Sequence, residues 1–156
     1  FRSETERYGE YSKSGEFIYD RPFLWGSKRT GPDLHRIGGK YPDSWHYNHM
    51  LDPESMSPGS IMPVYPWLIE NDMKLKTLAA KIKGLRSLGT PYPEGFEDEA
   101  LADLQAQAAQ VAESLRKDGI EQEGLENKEI IALISYLQRL GTDIKPLPQA
   151  STEGDE

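Results

Sequence analysis

The sequence predicts an all-α fold. Three stretches in its second half repeat apolar residues at helical spacing, and each is followed by a glycine. Almost no stretch shows the alternation of apolar and polar residues that is typical of a half-buried strand. Only 37% of the 156 residues are hydrophobic, and 14 are Gly and 11 are Pro. We therefore expect a modest helical core surrounded by long loops.

The first half of the chain is predicted to be mostly irregular. Residues 1–42 spread aromatic side chains among Gly, Ser and Pro, a composition that favours loops over regular structure. A short helix is predicted over 43–51, with Asp43 as its N-cap and Pro53 as the residue that ends it. The Pro-rich stretch 52–68 that follows is predicted to be a loop.

Three longer helices are predicted at about 71–88, 97–118 and 127–140. The residues expected to bound them are Asn71 or Asp72, Gly89, Gly119, Asn127 and Gly141. The expected apolar stripe of the second helix is Leu101, Leu104, Ala108, Val111 and Leu115, and that of the third is Ile130, Ile131, Ile134, Leu137 and Leu140. The acidic tail 142–156 is predicted to be disordered.

The charge and cysteine content exclude several classes of function. The formal net charge of -8 argues against a nucleic-acid partner, because a phosphate binder needs a basic face. The absence of cysteine excludes disulfides and thiolate chemistry within these residues. One acidic run either stabilises the start of the second long helix or forms a docking patch for a basic partner; it comprises Glu94, Glu97, Asp98, Glu99 and Asp103.

Met62 is the strongest candidate for a functional residue. Its thioether is a soft ligand that suits haem iron, and a Met ligand raises the reduction potential of a haem. Three prolines, Pro58, Pro63 and Pro66, stiffen the loop around it, which would keep the sulfur aimed at a metal. The alternative is that Met62 simply fills space in the core, the commoner role of a methionine.

Two further groups of residues have both a functional and an ordinary interpretation. The turn that contains Gly31 and Pro32 allows a close approach to a flat group, and Arg29 suits a carboxylate; a simple solvated turn is the alternative. His46 and His49 are spaced as a metal pair on one helix face. No third ligand is evident from the sequence, so partly buried or surface histidines are favoured.

Taken in order, several segments resemble a single known family over about residues 1–141. These are E-R-Y-G-x-Y-S from Glu6, W-G-S-K-R-T-G-P-D-L from Trp25, I-G-G-K-Y from Ile37, M-P-x-Y-P-W from Met62 and L-I-x-Y-L-Q-x-L-G from Leu133. The chain resembles the mono-haem cytochrome c subunit, subunit II or the O subunit, of cbb3-type cytochrome c oxidase. The Trp25 segment is specific, whereas the last helix is common to class I cytochromes c.

The resemblance implies a class I cytochrome c-like domain at 1–141, truncated at its N-terminus. A helical insertion is expected at about 69–125, before the last helix. The family attaches haem c through C-x-x-C-H, a motif absent from this chain, so covalent attachment is impossible within it. We expect that motif shortly upstream of Phe1, after a membrane anchor of about 20 apolar residues.

The resemblance also implies site residues. Met62 corresponds to the distal axial ligand of the haem iron, Gly31, Pro32 and Leu34 would line the haem, Arg29 would contact a propionate, and Ser27 would lie near a calcium ion at a subunit interface. The implied role is to relay electrons from a donor cytochrome c to the catalytic haem–copper subunit, which itself reduces oxygen. The expected location is the periplasmic side of the bacterial inner membrane.

Two other functions remain open from the sequence. One is a haem-free interaction or assembly domain derived from a cytochrome c, in which Met62 only packs. The other is a metal-dependent enzyme that uses His46 and His49.

Overall fold

The structure, a computed structural model, describes residues 18–19 and 37–142. Within these residues the regular elements are helical, and the only β feature is an isolated bridge between Asp72 and Lys128. The helices are α1 (Asp43–Leu51), α2 (Pro53–Met56), α3 (Trp67–Glu70), α4 (Leu78–Ser87), α5 (Phe96–Lys117) and α6 (Glu129–Arg139). The all-α prediction is confirmed.

The last helix, α6, forms the centre of the main core. Ile130, Ile131 and Ile134 are fully buried on it and pack with Tyr47 of α1 and Leu115 of α5. Each fully buried isoleucine contributes about 1.5–3 kcal/mol through the apolar surface that it removes from water. All five residues of the stripe predicted for this helix are buried, so that prediction is confirmed.

A smaller cluster ties the start of the described chain to the end of α6. The Gly38 N–H donates to the carbonyl of Leu140 at 3.0 Å, and a Cβ on Gly38 would lie only 2.6 Å from that carbonyl oxygen. The Gln138 side chain accepts from the Gly39 N–H at 2.9 Å and donates to the Asp43 carboxylate at 2.7 Å. A glycine at position 38 is therefore what permits this close approach.

The helix predicted over 43–51 is confirmed as α1, but its first cap is not as expected. Pro42 occupies the N-cap position, and Asp43 is already helical, so its carboxylate bonds to Gln138 instead of capping the helix. Pro53 does more than end α1, because it is the first residue of α2. The predicted loop 52–68 therefore contains α2 and the start of α3.

The first of the longer helices begins later than predicted. Asn71 and Asp72 do not cap it, because this segment lies against the residues before α6. The Met73 N–H donates to the Asn127 carbonyl at 2.8 Å, and the Glu129 N–H donates to the Asn71 carbonyl at 3.0 Å. Asn127 is thereby also not the cap of α6, whose N-cap position is Lys128.

The other helix boundaries agree with the sequence to within one or two residues. Gly89, Gly119 and Gly141 follow their helices with φ angles of 93°, 85° and 79°, as expected for C-terminal glycines. One stripe residue was wrong: Leu101 is 43% exposed, and Ala100 is buried in its place. In the first turns of α5 a small alanine, rather than Leu101, therefore faces the neighbouring helices.

Most of the predicted irregular region 1–42 and of the predicted disordered tail lies outside the described residues. Among the helices that the structure describes, none combines the length and the hydropathy needed to cross a lipid bilayer.

Candidate functional site

Met62 lies in the loop 57–66 that connects α2 with α3. The loop is braced by short-range hydrogen bonds, from the Ser60 N–H to the Ser57 carbonyl at 3.0 Å and from the Met62 N–H to the Ser60 hydroxyl at 3.2 Å. Gly59 turns the chain with a φ of 80°. The main chain on the N-terminal side of the thioether is therefore held in one conformation.

The other side of the loop is attached to α1. The Tyr65 N–H donates to the Met50 carbonyl at 2.9 Å, and Met50 itself packs against both core clusters. Met62 is three residues from Tyr65, so their Cα atoms are at most about 10 Å apart. The loop that carries Met62 is thus hydrogen-bonded to the C-terminal end of α1.

Exposed apolar side chains lie close to Met62 in the chain. Met62 is partly buried and belongs to neither core cluster of the described residues, whereas Met50 and Met73 pack on the main core. Next to it in the chain, Ile61 is 82% exposed and Val64 is 52% exposed. Large apolar side chains exposed close together indicate an interaction surface.

A stack of aromatic rings extends from Tyr41, just before α1, onto α1 itself. Tyr41, Trp45 and His49 follow at intervals of four residues, and their rings stack with centroids 4.0 Å and 4.4 Å apart. The His46 ring meets Trp45 edge-on at 5.3 Å. Tyr47 points in another direction, and its hydroxyl donates to Gln122 at 3.0 Å.

Two imidazole nitrogens on α1 are buried without a hydrogen-bond partner. They are Nε2 of His46, a residue only 2% exposed, and Nδ1 of His49. Burial lowers the pKa of both histidines; for His46, Asp43 opposes this effect and the neighbouring His49 adds to it. Both rings are therefore neutral at pH 7. Buried polar atoms are nearly always paired in native proteins, so these two atoms are exceptional.

The acidic run has a structural role at one of its members. Glu97 accepts two hydrogen bonds from the Arg86 guanidinium, at 2.8 Å and 3.1 Å, and lies 3.7 Å from the Lys83 ammonium. Arg86 also donates to the Pro93 carbonyl at 3.1 Å, so this group fastens α4 to α5. The hydrogen bonds from Arg86 lower the pKa of Glu97. Asp98 and Glu99 remain exposed at the start of α5.

The family model for the cytochrome c oxidase mono-heme subunit, FixO, matches residues 1–144. The chain belongs to the FixO family. Members of this family are mono-haem subunits of cbb3-type oxidase that take part in electron transfer, in complex with the catalytic oxidase subunit. No curated protein matches the chain.

The described residues fit the open side of a FixO haem. A partly buried thioether on a braced loop suits the iron, and two buried nitrogens without partners suit the polar atoms that a haem brings with it. The attachment side differs, because covalent linkage needs cysteine and these 156 residues contain none. The fit therefore concerns a side chain that could ligate haem iron and does not extend to covalent attachment.

Of the predicted site residues, Met62, His46 and His49 fall within the described part of the chain. Met62 lies in the loop described above. The remaining residues predicted for the FixO site lie outside the described residues; they are Ser27, Arg29, Gly31, Pro32 and Leu34. His46 and His49 do share one side of α1, but in the described ranges no cluster of three or more metal-ligating side chains includes them.

What distinguishes these two histidines was not predicted from the sequence. The available signal was the four-residue spacing of Trp45 and His49, which places two flat rings on one line of α1, with Tyr41 four residues before Trp45. That His46 Nε2 and His49 Nδ1 lack partners depends on the surrounding packing.

A cavity of about 290 Å³ between α4, α5 and α6 does not include Met62 among its lining residues.

Proposed function

We propose that this chain relays electrons in a cbb3-type cytochrome c oxidase, from a donor cytochrome c to the catalytic haem–copper subunit. The observation that carries the proposal is the Met62 loop: in a FixO chain, a partly buried thioether is held on a braced loop outside the core. In this proposal the thioether of Met62 would ligate the iron of a c-type haem.

When bound, the haem supplies a one-electron redox couple. Met62 contributes a soft ligand that favours the reduced iron and so raises the reduction potential. The prolines at 58, 63 and 66, with the bond from Tyr65 to Met50, limit the movement of the sulfur when the charge of the iron changes. The loop would thus hold the thioether in the same place in both oxidation states of the iron.

The exposed apolar residues in and directly after the loop would contribute to partner contact. They are Ile61, Val64 and Trp67. An apolar contact there excludes water between two redox proteins and brings their centres closer. The bound partners in this proposal are the catalytic subunit and the donor cytochrome.

The proposal extends to residues that the structure does not describe. Arg29 binds a haem propionate, Gly31, Pro32 and Leu34 line the haem, and Ser27 lies near a calcium ion at the subunit interface. A segment upstream of Phe1 supplies the C-x-x-C-H and a membrane anchor, which places the domain on the periplasmic side of the inner membrane.

The test uses the chain extended by its natural upstream segment and produced with the haem-attachment machinery. We expect a c-type band in the reduced-minus-oxidised visible spectrum. Met62→Ala should remove the charge-transfer band of the Met–iron bond and lower the midpoint potential. Met56→Ala, a partly buried methionine of α2, is the matched control and should change neither. A folded protein without a haem band would refute the proposal.

One observation favours a second function. Since the chain contains no cysteine, a haem-free interaction or assembly domain derived from a cytochrome c also accounts for its sequence. In such a domain Met62→Ala would act only through lost packing, at the low end of about 2–5 kcal/mol because the residue is partly exposed. The spectrum of the extended chain distinguishes the two functions.

A further inference from the structure

The strongest unexplained feature is the pair of unpartnered nitrogens on α1. Leaving a buried donor or acceptor unsatisfied has a free-energy cost, and His46 Nε2 and His49 Nδ1 would each incur this cost. The cost is removed if a polar group absent from the protein chain lies against them. Their place in the fold indicates what that group is.

The two histidines lie on a side of α1 that belongs to neither hydrophobic core cluster. Tyr47, Met50 and Leu51 form the face of α1 that packs on the main core. At 3.6 residues per turn, His46 and His49 are only about 60° apart around the helix axis, and they lie to one side of that face. Both histidines therefore lie along the same edge of the core.

The Met62 loop is hydrogen-bonded to this helix. His49 directly precedes Met50, whose carbonyl accepts the hydrogen bond that attaches the loop to α1. Stacking of His49 on Trp45, at 4.4 Å between centroids, holds its ring in a fixed orientation. His46 is fixed in turn by its edge-on contact with Trp45. The two rings are thus pre-oriented on the helix to which the loop carrying the thioether is hydrogen-bonded.

From this arrangement we infer that His46 and His49 are positioning residues of the haem site, and that their unpartnered nitrogens hydrogen-bond to oxygen atoms that enter with the haem. Those oxygens belong to a propionate carboxylate or to a water buried beside Met62. The inference rests on the proposed function, since it requires a haem on this side of α1. Nothing else in the described residues supplies a partner to these atoms.

The inference predicts a specific effect on the redox couple. A neutral imidazole that donates a hydrogen bond directs the positive end of its N–H dipole towards the haem environment, which stabilises the reduced, less positive iron. His46→Phe and His49→Phe keep a flat ring against Trp45 but delete the nitrogens. Each is expected to lower the midpoint potential of the haem while Met62 remains bound.

The experiment is a redox titration of the haem-loaded, upstream-extended protein with each Phe variant. Tyr47→Phe is the matched control: it removes a polar atom from α1, but that atom is bonded to Gln122 on another side of the helix. The control should keep the wild-type potential although it loses some stability. Phe variants that also keep the wild-type potential would overturn the inference.

Two further readings identify the oxygen source and protect against variants that fail to load haem. A change in the propionate bending band of the resonance Raman spectrum of a Phe variant assigns the propionate, whereas a shifted Met–iron charge-transfer band assigns the water beside Met62. Without any variant, ¹⁵N-histidine NMR of the reduced protein should show hydrogen-bonded His46 and His49 nitrogens shifted by the ring current of the haem. Resonances without that shift would contradict the inference.

The outcome also separates this inference from the proposed function. If Met62→Ala leaves the haem spectrum unchanged, the proposed axial ligand is wrong. If Met62→Ala changes the spectrum and the two Phe variants do not change the potential, only the role of the histidines is wrong.

Discussion

Glu97 belongs to the acidic run at the start of α5, but it alone in that run is paired with Arg86. In the sequence it is one carboxylate in an acidic run at the start of a helix. In the structure its side chain is only 10% exposed and accepts both arms of the Arg86 guanidinium. Two parallel charge-assisted bonds fix the relative positions of α4 and α5 more firmly than a single surface ion pair does.

This contact predicts a particular pH dependence of stability. Because Arg86 lowers the pKa of Glu97 below its ordinary 4.5, the contact stabilises the fold fully above pH 4.5, and this contribution is lost as the pH falls through the lowered pKa. Glu97→Gln should lower the melting temperature at neutral pH and reduce the loss of stability on the acid side. Thermal unfolding at several pH values measures both effects.

The matched control for this variant is Glu99→Gln, which removes the same charge from an exposed position in the same helical turn. We expect it to leave the melting temperature nearly unchanged. Equal effects of the two variants would show that the general charge of the helix start matters and the contact with Arg86 does not.

At the scale of elements, glycine plays opposite roles at helix ends and within helices. Gly119 follows α5 with a φ of 85°, a left-handed conformation in which a Cβ is strained. Gly84 lies inside α4, where a Cβ would meet nothing within 4 Å. The same substitution should therefore have opposite signs at the two sites.

Gly119→Ala is expected to destabilise the protein by about 1–2 kcal/mol, the cost of a left-handed alanine. Gly84→Ala should stabilise it by about 0.5–1 kcal/mol, since alanine loses less backbone entropy inside a helix. Chemical denaturation of both variants measures the difference. Destabilisation by Gly84→Ala would show that α4 departs locally from helical geometry.

At the scale of the whole molecule, α6 holds the described domain together. It contacts α1, α3 and α5, and its buried isoleucines form the centre of the larger core cluster. The segment after Glu70 also bonds to the residues before α6, so the predicted insertion is joined to the final helix through the main chain. Loss of packing at α6 should therefore lower the stability of the whole described domain.

Ile134→Ala is expected to cost about 2–5 kcal/mol, because Ile134 is fully buried at the centre of this cluster. Leu101→Ala in α5 is the control, since Leu101 is 43% exposed, and should cost much less. Thermal unfolding followed by circular dichroism compares the two. A similar cost at both positions would mean that the stripe first predicted for α5, which includes Leu101, is the correct one.

The sequence by itself determined the features that depend on local chemistry. The apolar period of α6 and the C-terminal glycines of α4, α5 and α6 were predicted correctly, because a helix and its end are set by residues within a few positions of each other. The segments around Trp25 and Met62 were likewise enough for the family, which the FixO match confirms.

Only the tertiary structure decided the features that depend on distant partners. Asn71 and Asp72 do not cap a helix because their segment bonds to the residues before α6. Asp43 does not cap α1 because Gln138, 95 positions away, takes its carboxylate. The unpartnered nitrogen of His46 is visible only when every neighbour is in place. The physical reason is common to all three: a polar side chain or main-chain group bonds to whatever the fold brings within reach, and sequence spacing does not record that distance.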